Sequence, residues 1–222
     1  MVACAGVHRT VDPEMNVMNR SLENIFFRRP RVLNVLHWAN LVNATSQTIP
    51  AELDALECHA AGARQALEIG TYQGVSAARI AGALAPGGLL YCVDPWPATE
   101  EKRGNNPCWS ICERHLRRSG VKNRIRILRG YSREMANRVP AQLDFAFVDG
   151  DHSWEGIKAD WTIVSEKMLP GGVVCLHDSF TPAGQDWRHL DSCVYFEKVI
   201  QNDARFSVIE VVHSLAVLRK LK

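Results

Sequence analysis

Two runs of polar residues, each at the end of an apolar stretch, contain the side chains best suited to chemistry. The first is DGDH at 149–152, directly after FAFV, and the second is HD at 177–178, after GVVCL. A carboxylate beside an imidazole can orient a general base, because imidazole titrates near neutral pH. We therefore identify four candidate catalytic residues: Asp149, His152, His177 and Asp178.

Two alternatives stay open within the first run. Asp151 and Ser153 are typical of a helix cap before Trp154, and this interpretation is favoured for Asp151. His152 is equally well explained as the base or as a hydrogen-bonding neighbour of the site.

A third polar run, EIGTYQGVS at 68–76, ends another apolar stretch. Its spacing is G-x-x-x-G rather than the G-x-G-x-x-G of dinucleotide sites, and Glu68 precedes the first glycine. A carboxylate there repels phosphate and can hold an ammonium group. Asp94, at the end of LLYCVD, is placed to accept hydrogen bonds from a ribose diol. The predicted ligand has a nucleoside, no phosphate and a cationic end like that of an amino acid.

The elements that position these residues alternate along the chain from about residue 60. Short apolar strands at 65–70, 89–94, 124–128, 143–149 and 172–178 are separated by helical patterns at 76–85, 108–119, 132–139 and 153–169. A helix at about 188–202 then precedes two strands, 206–212 and 214–220, with room for only a tight hairpin. The pattern predicts an α/β Rossmann-like fold: a seven-stranded, mostly parallel sheet with helices on both faces and a C-terminal antiparallel hairpin. Ligands of such sheets bind beyond the carboxyl ends of the strands.

Composition limits the function classes. The net charge is only +2 in 222 residues, without a concentrated basic face, so we expect no nucleic-acid partner. No apolar run approaches a membrane span, and the N-terminus is a poor signal peptide. Cys92 and Cys175 lie in apolar runs as small hydrophobes, and the expected compartment is cytoplasmic. We expect residues 1–60 to form a helical extension or lid and residues 61–222 to form the ligand-binding domain. The N-terminal helices could pair in a homo-oligomer.

Four linked motifs carry a family resemblance. ALEIGTYQGVS, CVDPWP, LDFAFVDGDHSWEG and MLPGGVVCLHDSF make residues 65–180 resemble class I S-adenosylmethionine-dependent methyltransferases, in particular small-molecule O-methyltransferases. The resemblance implies S-adenosylmethionine as cofactor and a small-molecule hydroxyl, on a natural product or sugar, as methyl acceptor. It implies cofactor-binding roles for these residues: Glu68, Gly70, Thr71, Gly74, Ser76, Asp94, Trp96, Gly130, Tyr131, Ser132 and Asp149.

Activation of the acceptor oxygen has two explanations that the sequence leaves open. One is a histidine base, either His152 or His177. The other, implied by metal-dependent relatives of this fold, is a divalent metal such as Mg²⁺ or Mn²⁺ held by Asp149, His177 and Asp178. A histidine in that set suits manganese, iron or zinc better than magnesium.

Two other functions compete with methyl transfer. A nicotinamide-dependent oxidoreductase shares the fold, but the G-x-G-x-x-G pattern is missing. A non-catalytic module could keep the S-adenosylmethionine pocket and use residues 1–60 to bind a partner.

Overall fold

The computed structural model describes residues 30–96, 106–182, 184–187 and 189–222. The first half of the predicted extension, residues 1–29, therefore lies outside the described residues. The helices are α1 (Pro30–Trp38), α2 (Pro50–Ala60), α3 (Val75–Ala83), α4 (Pro107–Arg118), α5 (Ser132–Met135), α6 (Trp154–Lys167) and α7 (Asp191–Lys198). The strands are β1 (Gln65–Ile69), β2 (Leu89–Asp94), β3 (Ile125–Arg129), β4 (Leu143–Val148), β5 (Met168–Leu176), β6 (Phe206–Val212) and β7 (Leu215–Lys220). Short 3-10 turns occupy 122–124, 136–138 and 200–202.

The strands form one sheet in the order β3-β2-β1-β4-β5-β7-β6. The first five pair in parallel, and β7 pairs antiparallel with both β5 and β6. The predicted fold class is thus confirmed. The strand order reverses between β1 and β4, which is where ligands bind in sheets of this kind.

Strand β4 shows why both faces of the sheet are covered. Phe145 and Phe147 point into the core under α2, α3 and α4, whereas Ala146 and Val148 point into the core under α6 and α7. All four are buried, so the strand alternates between two apolar cores rather than between core and water. This explains the continuous apolar run that the sequence shows before Asp149.

Helix boundaries differ from the prediction in two places. The helix predicted for 153–169 ends at Lys167, and Pro170-Gly171-Gly172 belongs to β5, where the pairing register with β4 shifts. The helix predicted for 188–202 is shorter, since α7 covers only Asp191–Lys198 before a 3-10 turn. Both differences are at element ends, where the periodic signal is weakest.

The described part of the N-terminal extension contains two helices, of which α2 packs on the sheet. Leu56 and Ala60 of α2 lie fully buried in the same core as α3 and β4. No helix in the described ranges has the length and apolar character of a membrane span. The domain boundary near residue 60 stays a prediction.

Candidate functional site

Backbone hydrogen bonds between neighbouring strands bring the polar residues to one level at the carboxyl edge of the sheet. The N–H of Gly70 donates to Val93 O at 2.9 Å, and that of Asp149 donates to Ile69 O at 2.8 Å. The N–H of His177 donates to Val148 O at 3.0 Å. Because the ladder stays in step across β2, β1, β4 and β5, residues far apart in sequence surround one space.

That space is a cavity of about 490 Å³, within the range of small-molecule sites. Eight of the predicted cofactor-binding residues line it: Gly70, Thr71, Ser76, Asp94, Gly130, Tyr131, Ser132 and Asp149. Its wall carries a marked charge imbalance, with one arginine, Arg133, against five acids: Asp94, Asp149, Asp151, Glu155 and Asp160. Such a wall favours a cationic ligand over an anionic one.

The loop after β1 needs glycine because it passes close to the end of β4. Gly70 has φ +88°, and a Cβ there would overlap the carbonyl oxygen of Asp149. Gly74, at φ +81°, is the N-cap of α3 and packs against Cys112 and Leu116 rather than on the cavity wall. Thr71 does reach the wall, and its side chain is buried there beside Glu68.

Three nearby backbone N–H groups donate hydrogen bonds to the Asp94 carboxylate. Its Oδ2 accepts from the N–H groups of Thr71 at 3.0 Å and Tyr72 at 2.8 Å, and its Oδ1 accepts from Trp96 N at 2.7 Å. Burial raises the pKa of Asp94, and these three bonds oppose the rise. A carboxylate has about four acceptor positions, so one remains for a ligand hydroxyl.

Two predicted cofactor residues lie behind the wall. Glu68 is fully buried, accepts from Ser76 Oγ at 2.6 Å, and has its pKa raised to about 7 by burial. Trp96 is buried too, because its Nε1 donates to Tyr72 O at 2.7 Å and its ring packs edge-on against Trp109. The structure thus places Trp96 in the core behind the loop, and its packing against the adenosine stays a prediction. The ammonium-binding role of Glu68 stays a prediction.

The four candidate catalytic residues do meet, as a charged cluster. Asp149 Oδ1 lies 3.3 Å from His152 Nε2 and 3.1 Å from His177 Nδ1. Asp178, at the left-handed φ of +48°, has Oδ2 3.6 Å from His152 Nδ1 and Oδ1 3.4 Å from His177 Nδ1. Burial alone would raise the pKa of Asp149, but the two histidines outweigh it and hold that pKa below its usual range.

The two histidines differ in access. His152 lines the cavity with about a third of its side chain exposed, and its hydrogen bond to Asp149 raises its pKa above 6.5. His177 is buried and is not part of the cavity wall described. Its burial favours the neutral ring, yet contacts with Asp149, Asp178 and Glu52 raise its pKa to about 12.

The predicted metal site does not fit this arrangement. His177 Nε2 lies 3.2 Å from Glu52 Oε2, while Nδ1 faces Asp149 and Asp178. A ring held as imidazolium has no lone pair for a metal ion. Within the described residues, no group of three or more His, Cys, Asp or Glu side chains has the geometry to hold one. His177 itself supplies the positive charge between the two aspartates.

The helix cap predicted after β4 is present. Ser153 is the N-cap of α6 and accepts from Gly156 N at 3.2 Å, while Asp151 Oδ1 accepts from Ser153 N at 3.0 Å. Asp151 also lines the cavity.

Sequence reasoning missed one segment and two single residues that contribute to the site. Thr45, Ser46 and Gln47, before α2, line the cavity, and Glu52 reaches His177 from a helix far away in sequence. Asp160 of α6 also lines the cavity, and burial raises its pKa to about 6. Asp160 had a signal, since it lies between Ile157 and Trp161 on the buried stripe of its helix. Glu52 had none, because at the start of a helix it resembles an ordinary cap.

Comparisons with known proteins agree with the fold. Residues 67–179, just over half of the chain, match the family model described as a methyltransferase domain. The O-methyltransferase from Bacillus cereus in complex with SAH is 19% identical with a TM-score of 0.66, covering 97% of this chain and 94% of that one. The O-methyltransferase TomG from Streptomyces achromogenes, in complex with SAM, is 17% identical with a TM-score of 0.64, covering 87% and 90%.

A third structure shows that the fold does not select the acceptor. An rRNA methylase from Streptococcus thermophilus is 15% identical with a TM-score of 0.54, covering 80% of this chain and all of that one. A search of curated proteins finds no match.

Proposed function

The chain belongs to the methyltransferase-domain family that its residues 67–179 match, and we propose on this basis that it methylates a hydroxyl oxygen of a small molecule, with S-adenosylmethionine as methyl donor. The observation that carries the proposal is the acid-lined cavity with His152 on its wall beside Asp149. S-adenosylmethionine bears a sulfonium and an ammonium group, so a wall of five carboxylates suits it. The same wall would repel the pyrophosphate of a nicotinamide dinucleotide, which counts against the oxidoreductase alternative.

The proposed cofactor half is formed by the loops after β1, β2 and β3. Gly70, Thr71 and Ser76 would hold the methionine end, Asp94 the ribose, and residues 130–132 the adenine. When bound, the cofactor supplies an electrophilic methyl group on a sulfonium sulfur. Positioning is a large part of catalysis in such a transfer. The close approach of Gly70 to the end of β4 and the three backbone hydrogen bonds to Asp94 hold the loops in the geometry described.

The proposed acceptor half activates the hydroxyl. His152 Nε2–H donates a hydrogen bond to Asp149 Oδ1. The Nδ1 atom lies 3.6 Å from Asp178 Oδ2, which is too far for a hydrogen bond. Nδ1 is therefore left as the basic atom. His152 Nδ1 would take the hydroxyl proton of the acceptor, whose oxygen would then be the nucleophile for the methyl group that the cofactor supplies. Asp149 stabilises the imidazolium that results. His177 is buried away from the cavity, so we assign the base to His152.

Metal assistance is left out of the proposed mechanism, because both ring nitrogens of His177 face carboxylates. Methyl transfer should therefore persist after dialysis against a chelator. Loss of activity that Mg²⁺ or Mn²⁺ restores would show that the metal explanation is correct.

Isothermal titration of the purified chain with S-adenosylhomocysteine tests the cofactor. We expect saturable binding with one site per chain, and titration with NADH under the same conditions should give no heat of binding. A folded protein that fails to bind S-adenosylhomocysteine would contradict the proposal. A panel of hydroxylated acceptors, assayed for S-adenosylhomocysteine release, then tests turnover and excludes or supports the non-catalytic alternative.

A further inference from the structure

A buried carboxylate outside the matched family region reaches the site. Glu52, in the first turn of α2, has 1% of its surface exposed, although glutamates are rarely buried without a partner. Its Oε2 lies 3.2 Å from His177 Nε2, at a separation of 125 positions in sequence. Its Oε1 accepts from Ser214 N at 3.0 Å and from Ser214 Oγ at 2.7 Å.

Helix capping does not account for this burial. Glu52 Oε2 also accepts from Ile49 N at 3.1 Å, which caps that N–H group at the start of α2. A capping glutamate can do this at a solvated helix end. Burying the carboxylate costs free energy that a cap alone does not offset, so its other partners explain why it is inside.

Glu52 begins a continuous line of charge contacts that ends on the cavity wall. Its carboxylate holds one side of the His177 ring, and the other side faces Asp149 Oδ1 at 3.1 Å. Asp149 Oδ1 in turn lies 3.3 Å from His152 Nε2. Phe147 packs edge-on against the His177 ring, with 6.3 Å between ring centroids. The ring therefore has a carboxylate oxygen near each nitrogen and an aromatic ring edge-on beside it.

We propose that Glu52 is a positioning residue for His152: it orients the His177 imidazole so that Nδ1 faces Asp149, and thereby determines how Asp149 holds the base. The proposal rests on the proposed function, in which His152 is that base. It makes α2, outside residues 67–179, part of the active site.

The test compares E52Q with wild type in the full chain saturated with S-adenosylhomocysteine. Histidine ring signals are followed by ¹H–¹⁵N NMR across a pH titration. Glutamine keeps the shape of Glu52 but not its charge. His177 stays cationic through Asp149 and Asp178, so the loss of the Glu52 anion leaves an uncompensated positive charge behind Asp149. We expect the pKa of His152 to fall by roughly one unit and the Nε2–H signal of His177 to shift.

E57Q is the matched control. Glu57 lies on the same helix, is half-exposed, and pairs with Arg79 away from the cavity. This substitution should leave the pKa of His152 and the His177 signals at wild-type values. With an acceptor identified, E52Q should also shift the acidic limb of the pH profile of kcat to lower pH, while the KM for S-adenosylmethionine stays unchanged.

The outcomes separate this inference from the proposed function. If E52Q binds S-adenosylhomocysteine but leaves the His152 pKa and the His177 ring signals unchanged, the positioning role is wrong and the methyltransferase assignment stands. If E52Q does not fold, the wild-type spectrum decides: the role requires a slowly exchanging His177 Nε2–H, since Glu52 covers it, and rapid exchange overturns the proposal. Failure of wild type to bind S-adenosylhomocysteine contradicts the proposed function instead.

Discussion

The two halves of the cavity hold their acids in different ways. In the cofactor half, Asp94 is stabilised by three backbone N–H groups, all from residues within 23 positions of it. In the acceptor half, Asp149 is stabilised by charged side chains, and the line of contacts continues through His177 to Glu52, which is 125 positions from His177 in sequence. Backbone dipoles are neutral overall, so the cofactor half keeps its negative charge for a cationic ligand. The acceptor half compensates its own charges, so a change at one member alters the others.

The difference predicts how each half responds to substitution. Loss of a backbone-held acid should affect ligand affinity and little else. Loss of a member of the charged cluster should alter proton affinities across it.

The largest effect is expected from H152Q, which removes the proposed base. Turnover should fall by roughly 10²- to 10⁴-fold, the usual contribution of a general base, while S-adenosylhomocysteine affinity stays within a few-fold of wild type. S-adenosylhomocysteine release with an identified acceptor measures the first quantity, and calorimetry the second.

H59Q serves as the control for H152Q. His59 of α2 lies within hydrogen-bond distance of Glu210 of β6, at 2.6 Å, and neither residue lines the cavity, so its replacement should leave turnover unchanged. Unaltered turnover in H152Q would remove His152 from the mechanism.

A smaller effect is expected from D94A in the cofactor half. Hydrogen bonds to a charged group contribute about 1.5–3 kcal/mol, so the Kd for S-adenosylhomocysteine should rise by roughly 10- to 100-fold. The pKa of His152 should not move, since Asp94 is no part of the charged cluster. Calorimetry and the NMR titration check the two statements.

The chain offers a matched control for D94A. Asp144 also accepts from two backbone N–H groups, those of Arg64 at 2.8 Å and Gln65 at 3.0 Å, but at the opposite edge of the sheet. D144A should leave the affinity for S-adenosylhomocysteine at the wild-type value. Equal affinities in D94A and wild type would discard the ribose role of Asp94.

The smallest expected effects are on how the free energy of unfolding changes with pH, and each half of the cavity has its own pH range. Glu68 has a folded-state pKa of about 7 against an ordinary 4.5, so the folded chain binds the extra proton between these values and stability falls as pH rises through them. His177 has a folded-state pKa of about 12 against 6.5, so its contribution is complete below pH 6.5 and declines above it. Each group contributes a slope of at most about −1.4 kcal/mol per pH unit.

Urea denaturation at several pH values separates the two contributions. E68Q should reduce the slope between pH 5 and 6.5, and H177Q should reduce it above pH 7. If H177Q keeps the wild-type slope above pH 7, the His177 ring is not held as a cation, and the fit of a metal ion must be reconsidered.

The pattern of apolar and polar residues along the chain was enough to predict the ends of the strands and the polar residues that follow them. The alternation of apolar runs predicted β1, β2 and β4 within about one residue, and with them the positions of Gly70, Asp94 and Asp149. These features are local, because strand periodicity and the glycine requirement of a tight loop act within a few residues. The start of β5 was predicted at residue 172 rather than at Met168, because the proline and glycines at 170–172 indicate a break between elements rather than part of a strand.

The charged cluster followed from the sequence only in part. The sequence predicted that Asp149, His177 and Asp178 end neighbouring strands, and they do meet. It left the choice between a metal and a histidine base open, because that choice depends on what lies on the far side of His177. The deciding residue, Glu52, comes from a helix whose sequence shows only a cap.

By itself, then, the sequence determined the sheet, the glycine loop and the aspartates that end its strands, since each is specified by residue types at short spacing. Only the tertiary structure decided the state of those aspartates. Burial and charge pairing depend on side chains brought together from distant positions: Glu52 buried against His177, Asp160 turned into the cavity, Trp96 turned out of it. The ionisation of a carboxylate is a property of its surroundings, and those surroundings exist only in the folded chain.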